Sequence, residues 1–204
     1  MIAPSARPPR ILVVDLETTG LDAKVCSSLQ IGAVWLSGAV GEFSLGCYEW
    51  PGAKVEDRAM ELNGLRHHLG NTELSSEAEA VAALLDWTGP EEFLLAGLNP
   101  SFDRAFLQEA QYRGKFNVVR RFPHRVIDLH TLTVSYAISR GDLLPNRGLY
   151  TDEIYAVLDM PPEPRPHQAL TGARMETEAL RMLMGLPELA EPATPQETGT
   201  TDKL

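Results

Sequence analysis

Four residues in this chain have the types and placement to do chemistry together. Asp15 and Glu17 close the apolar run Ile11-Leu12-Val13-Val14 and are followed by Thr18-Thr19-Gly20. Such a run, bounded by a turn signal, reads as a buried strand. Positions i and i+2 of a strand face the same side, so the two carboxylates converge. Like charges held together are costly unless a positive charge sits between them, and a divalent ion fits oxygen ligands. The same pair also reads as an acidic strand end running into a solvated turn. A third acid, Asp103, lies in Asn99-Pro100-Ser101-Phe102-Asp103. With Ser101 as N-cap, Asp103 would favour the helix dipole. Directly after the short strand Phe93 to Ala96, it is also placed where strands run out into loops, within reach of Asp15 and Glu17. His167 follows four prolines within six residues, Pro161 to Pro166. That segment is stiff and extended, and it presents His167 at the mouth of a helix. Alone, such a His reads equally as a surface or structural residue.

The elements that must position these groups follow in order. Strands are expected from Ile11 to the acidic pair Asp15 and Glu17, with a turn at Gly20, and at Gln30 to Leu36 and Glu42 to Trp50, joined by short Gly-bearing turns into an antiparallel meander. Val55 to Leu62 reads as a short helix stopped by Asn63-Gly64. Ser75 and Ser76 cap a helix with Val81, Leu84, Leu85 and Trp87 on its inner stripe. The strand Phe93 to Ala96 leads into a helix through about Arg113, with Phe102, Ala105, Phe106 and Ala110 at helical spacing. Arg125 to Ile127 is the last strand, and Asp128 opens a helix to about Ser139. Helices over 151–159 and 167–184 complete the pattern. Three antiparallel strands followed by strands alternating with helices imply an α/β fold, a mixed sheet of about five strands flanked by helices. The expected organisation is a flexible leader over 1–9, a domain over 10–184 and a disordered tail over 185–204.

Composition narrows the function. The chain has 204 residues, is 44% hydrophobic and carries a formal net charge of −10. That argues against bulk-charge binding to a phosphate backbone, though not against an enzyme with a local basic strip. Arg113, Lys115, Arg120, Arg121, His124 and Arg125 form such a strip, which reads either as a substrate guide or as a solvated loop. The two cysteines, Cys26 and Cys47, lie outside any CxxC or Cys/His cluster, which points away from structural zinc and disulfides. No apolar h-region or membrane-length apolar run is present, so a cytoplasmic protein with no membrane partner is expected.

Taken together, Asp15-Leu16-Glu17-Thr18-Thr19-Gly20, Asn99-Pro100-Ser101-Phe102-Asp103 and His167-Gln168-Ala169-Leu170 resemble the DEDDh, or DnaQ-like, exonucleases of the ribonuclease-H-like superfamily. The likeness spans roughly residues 10 to 184, with Met60 to Leu65 similar to the connecting element of these enzymes. It implies a ribonuclease-H-like fold and a metal-dependent 3′–5′ exonuclease that releases nucleoside monophosphates from single-stranded DNA or RNA 3′ ends. Two Mg²⁺ or Mn²⁺ ions would be held by Asp15, Glu17 and Asp103, and His167 would be the general base. Thr18, Thr19, Gly20, Asn99 and Phe102 would bind the terminal nucleotide. The family also implies a polymerase or homodimer partner and a role in DNA repair.

One position departs from the pattern. The family's His-x-Ala-x-x-Asp motif places an Asp five residues after the His, and here that residue is Gly172. Several readings stand. Glu176, one turn further on, reaches back into the space that Gly leaves, or it is a surface acid paired with Arg. Water replaces the ligand and activity is reduced. Alternatively, the fold is a degenerate exonuclease retained as a nucleic-acid-binding or scaffold partner in replication or repair.

Overall fold

The computed structural model describes residues 8–115, 122 and 124–187. The strands are β1 (Ile11–Thr18), β2 (Ser28–Ser37), β3 (Glu42–Tyr48), β4 (Ser75–Ser76), β5 (Leu94–Gly97) and β6 (Val126–Asp128). The helices are α1 (Asp57–Asn63), α2 (Glu77–Thr88), α3 (Pro100–Gly114), α4 (Leu129–Arg140), α5 (Thr151–Val157) and α6 (Ala169–Met184). A 3₁₀ turn covers Leu65–His68. The six strands form one sheet in the order β4-β3-β2-β1-β5-β6. β1, β2 and β3 pair antiparallel, whereas β5 and β6 add to β1 in parallel.

The mixed sheet agrees with the expectation from sequence, with one strand more than about five. Ser75–Ser76 pairs with Cys47 and Tyr48, and Ser76 also caps α2 through a capping box with Glu79. Two residues with one foot in a cap carry no strand signal. The leader expected over 1–9 falls outside the described residues up to residue 7, and the expected tail does so from residue 188.

Alternation along β1 divides the core. Leu12, Val14 and Leu16 face α2 and α3, with Val81, Leu84, Phe106 and Leu107. Ile11 and Val13 face the other layer, with Ile154, Tyr155, Ala173 and Leu180 from α5 and α6. Asp15 and Glu17 continue the Ile11–Val13 face, so the two carboxylates come out under α6.

α6 lies very close to the sheet. Gly32, opposite Asp15 in the β1–β2 register, has no room for a side chain: a Cβ there would overlap the backbone of Ala169 and Leu170. The side chain of Gln30, opposite Glu17, accepts a hydrogen bond from Ala169 N at 2.9 Å and so ties down the first turn of α6. No helix among the described residues is long and apolar enough to cross a membrane.

Candidate active site

Asp15, Glu17 and Asp103 lie close enough to feel one another's charge, and His167 meets Glu17. Asp103 arrives on α3, whose start is set by strand-end geometry. Asn99, not Ser101, is the N-cap. It takes the left-handed backbone (φ 53°) that Asn tolerates, and Pro100 follows as the first helical residue. The Asn99 amide donates to Asp128 Oδ1 at 3.1 Å, which ties α3 to the end of β6. Ser101 is exposed within the first turn, whereas Asp103 is buried. His167 is carried by the proline segment, just before α6, and its amide donates to Leu62 O at 3.1 Å. This anchors the segment to the end of α1.

Two further acids enter the site. Glu163, held between Pro162 and Pro164, was not singled out from sequence. Its carboxylate and the ligand atoms of Glu17 and His167 all lie within 4.8 Å of one another. The one local mark it carries is that it is an acid locked into a proline run four residues before the His. Glu176 is not a surface acid paired with Arg. It is buried, its Oε2 accepts from Leu98 N at 3.0 Å, and it feels the charges of Asp15 and Asp103. Gly97 makes space for it, since a Cβ at Gly97 would stand 2.8 Å from Glu176 Oε2.

The electrostatics follow from five acids in one place. Burial, then the charge of Glu163, pushes Asp15 up to about 7. Burial, then Asp15 and Glu163, pushes Glu17 up to about 9, against the pull of Asn63. Burial, with Asp15 as the next influence, holds Asp103 and Glu176 well above the usual carboxylate range. Among the described residues, the one ion-pair contact to these acids is His167 Nδ1 to Glu163 Oε2 at 3.8 Å, and burial raises Glu163 against the pull of the charges of His167 and Arg165. Five carboxylates with so little counter-charge fit hard divalent ions, and they do not suit a soft thiolate-type metal.

The turn after β1 is built to hold this strand end. Thr18 Oγ1 donates to Gly20 O at 2.7 Å, and Asn63 Nδ2 donates to Thr18 O at 3.1 Å. Thr19 is fully buried, and its hydroxyl donates to Lys54 O and accepts from Ser27 N. Its side chain therefore shapes the turn and is not free to meet a nucleotide. Gly20 is packed so tightly that a Cβ would come within 2.6 Å of Cys26 Sγ. Phe102 stacks near Phe106 and, with Leu21 and Tyr112, lines an open cleft of about 370 Å³ beside the turn. In the basic strip, Arg113 is taken up by Glu77 and the Ala23 carbonyl, so it is not a free substrate guide. Arg120 and Arg121 lie outside the described residues.

A mixed sheet with an acidic cluster at the end of its first strand defines a nuclease-type α/β domain. The chain belongs to the RNase_T exonuclease family, whose model matches residues 12–180. Its fold is similar to that of cell-death related nuclease 4 (CRN-4), with a TM-score of 0.70 and 15% identity over 86% of this chain and 64% of that one. It is also similar to E. coli exonuclease I in complex with a dT13 oligonucleotide, with a TM-score of 0.68 and 14% identity over 86% of this chain and 41% of that one. Exonuclease I from Methylocaldum szegediense gives a TM-score of 0.68 and 18% identity over 86% and 41%. The chain thus spans less than two thirds of the length of these proteins. No curated protein sequence matches it.

Proposed function

We propose that this chain is a metal-dependent 3′–5′ exonuclease that releases nucleoside monophosphates from single-stranded nucleic-acid 3′ ends. The observation that supports the reading is that Asp15, Glu17 and Asp103 are close enough to raise one another's charge cost, with no salt bridge to any of the three among the described residues. Retention of every one of these groups favours a working centre over a degenerate one. Asp15, Glu17 and Asp103 would hold two divalent ions of the Mg²⁺ or Mn²⁺ type. Such ions, when bound, stabilise the attacking and leaving oxygens of an in-line phosphoryl displacement.

The chain's own residues do the rest. His167 stands partly exposed at the rim, where an imidazole can take the proton of an attacking water and return it to solvent. The exposed Asn99 and half-buried Phe102 flank the acids on the α3 side. Phe102 would offer a ring for the terminal base to stack on, a contact that tolerates any base. A single-stranded substrate is supported by the dT13 oligonucleotide complexes of the exonuclease I neighbours.

The experiment uses single-stranded DNA and RNA labelled at either end, with Mg²⁺ and with Mn²⁺. The 3′ label should appear first as mononucleotide and the 5′ label as a shortening ladder. His167→Ala should slow cleavage by about 10²–10⁴-fold. A folded wild type that leaves every substrate intact with both metals rules the proposal out.

A further inference from the structure

We infer that Glu163 supplies the fourth carboxylate of the centre, through space that Gly172 leaves open. The inference rests on the metal-dependent reading above. A Cβ on Gly172 would overlap Asp15 Oδ2 and would stand 3.4 Å from Glu163 Oε1. The volume in front of Gly172 is therefore already filled by two carboxylates from elsewhere in the chain. An acid built on α6 at this position would have to push the tip of the Asp15 side chain aside, whereas Glu163 reaches the same place from the side.

Three observations aim Glu163 at a cation. First, its side chain is only 8% exposed and accepts no hydrogen bond among the described residues: His167 Nδ1 stands 3.8 Å away, and Arg165 acts on it through its charge alone. A carboxylate buried to that degree ordinarily has donors around it. Second, its ligand oxygen lies within 4.8 Å of those of Glu17 and His167, so it shares the ion that Glu17 would hold. Third, it is fixed in advance. Pro161, Pro162, Pro164 and Pro166 restrict the backbone on both sides, and the His167 amide is pinned to Leu62 O. Glu176, the other acid in reach, has one oxygen engaged by Leu98 N, feels Asp15 first and then Asp103, and is not in the group that Glu163 forms with Glu17 and His167.

The test is calorimetric titration of Mn²⁺ into the metal-free full chain and into the Asp15→Asn, Glu163→Gln and Glu176→Gln variants, with melting temperature as a check on folding. Glu163→Gln should weaken Mn²⁺ binding at least about tenfold, while Glu176→Gln should change it less than about threefold. Glu163→Ala, which removes the carboxylate altogether, must show the same loss. Wild-type affinity in both Glu163 variants, with binding lost in Asp15→Asn, overturns the assignment and leaves the exonuclease reading standing. Transfer of the loss to Glu176→Gln overturns it in favour of the α6 acid. A wild type that binds no Mn²⁺ overturns both.

Discussion

Two buried acidic regions in this molecule solve the same electrostatic problem in opposite ways. Glu77, at the start of α2, is only 1% exposed, yet Ser27 Oγ donates to one of its oxygens and Arg113 Nη2 to the other. Arg113 is itself held by Ala23 O at 3.2 Å and packs over the ring of Trp50. Burial still raises Glu77 above its ordinary value, against the pull of both partners. The cluster at the end of β1 packs Asp15, Glu17, Asp103, Glu163 and Glu176 together, and among the described residues no arginine hydrogen-bonds to it; Arg165 acts on Glu163 by charge alone. A charge satisfied from within holds a fold together. A set left without counter-charge is arranged for something that comes from outside.

The comparison breaks most sharply at Asp15. Asp15→Asn should lower exonuclease activity on the order of 10³-fold or more while raising the melting temperature of the metal-free protein, because it removes one of the repelling charges. Paired assays of cleavage in Mn²⁺ and melting in EDTA measure the two effects. A variant that loses stability and activity together would place Asp15 in the same class as Glu77.

Glu77→Gln should do the reverse. It leaves Arg113 facing a neutral group in a largely buried site, which costs about 2–4 kcal/mol of stability. Cleavage per folded molecule should hold near the wild-type level. Urea unfolding read beside single-turnover cleavage separates the two outcomes.

The cluster also fixes a pH dependence. Folded-state values lifted to about 7 for Asp15 and about 9 for Glu17 exceed those of free carboxyls near 4. Groups raised in this way favour the fold below their unfolded values, and that contribution is lost as pH climbs through the folded values. Metal-free protein should therefore melt lower by about 5–10 °C at pH 9 than at pH 5. Mn²⁺ should reverse much of the fall, and Asp15→Asn should flatten it. A flat melting profile in EDTA would mean that the five acids do not repel as their packing requires.

How far the sequence alone reaches follows the same division. Strand and helix periods were legible, and short-range patterns marked Asp15, Glu17, Asp103 and His167 as candidates — a buried run, a helix opening, a proline brake — while the family resemblance gave them roles. Ser75–Ser76 as a strand was not, since two residues have no period. Glu163 was not, since its role depends on the fold of a proline segment over Glu17 and on the missing side chain at Gly172. Glu176 was legible only as a choice, and burial against Leu98 decided it. The Arg113–Glu77 pair joins residues 36 apart, and nothing in local spacing announces it. Packing of α6 onto Gly32 brings these distant choices together, and packing is what a one-dimensional pattern leaves out.

The smallest effect tests a third environment. Glu42 on β3 and Arg174 on α6 form a two-pronged pair, with Arg174 Nε donating at 2.9 Å and Nη2 to the second oxygen. Their side chains remain 41% and 55% exposed, so water already serves both charges. Arg174 leaves α6 on the side away from Asp15, two residues after Gly172 in the chain. Arg174→Ala should therefore cost only about 0.2–1 kcal/mol, screened further by salt, with Mn²⁺ affinity and cleavage unchanged. Thermal melts at low and high ionic strength measure this directly. A loss comparable with that of Glu77→Gln would show that the pair is needed to seat α6 on the sheet. The position of α6 above Asp15 would then depend on charge at its rim, as well as on the close backbone contact at Gly32.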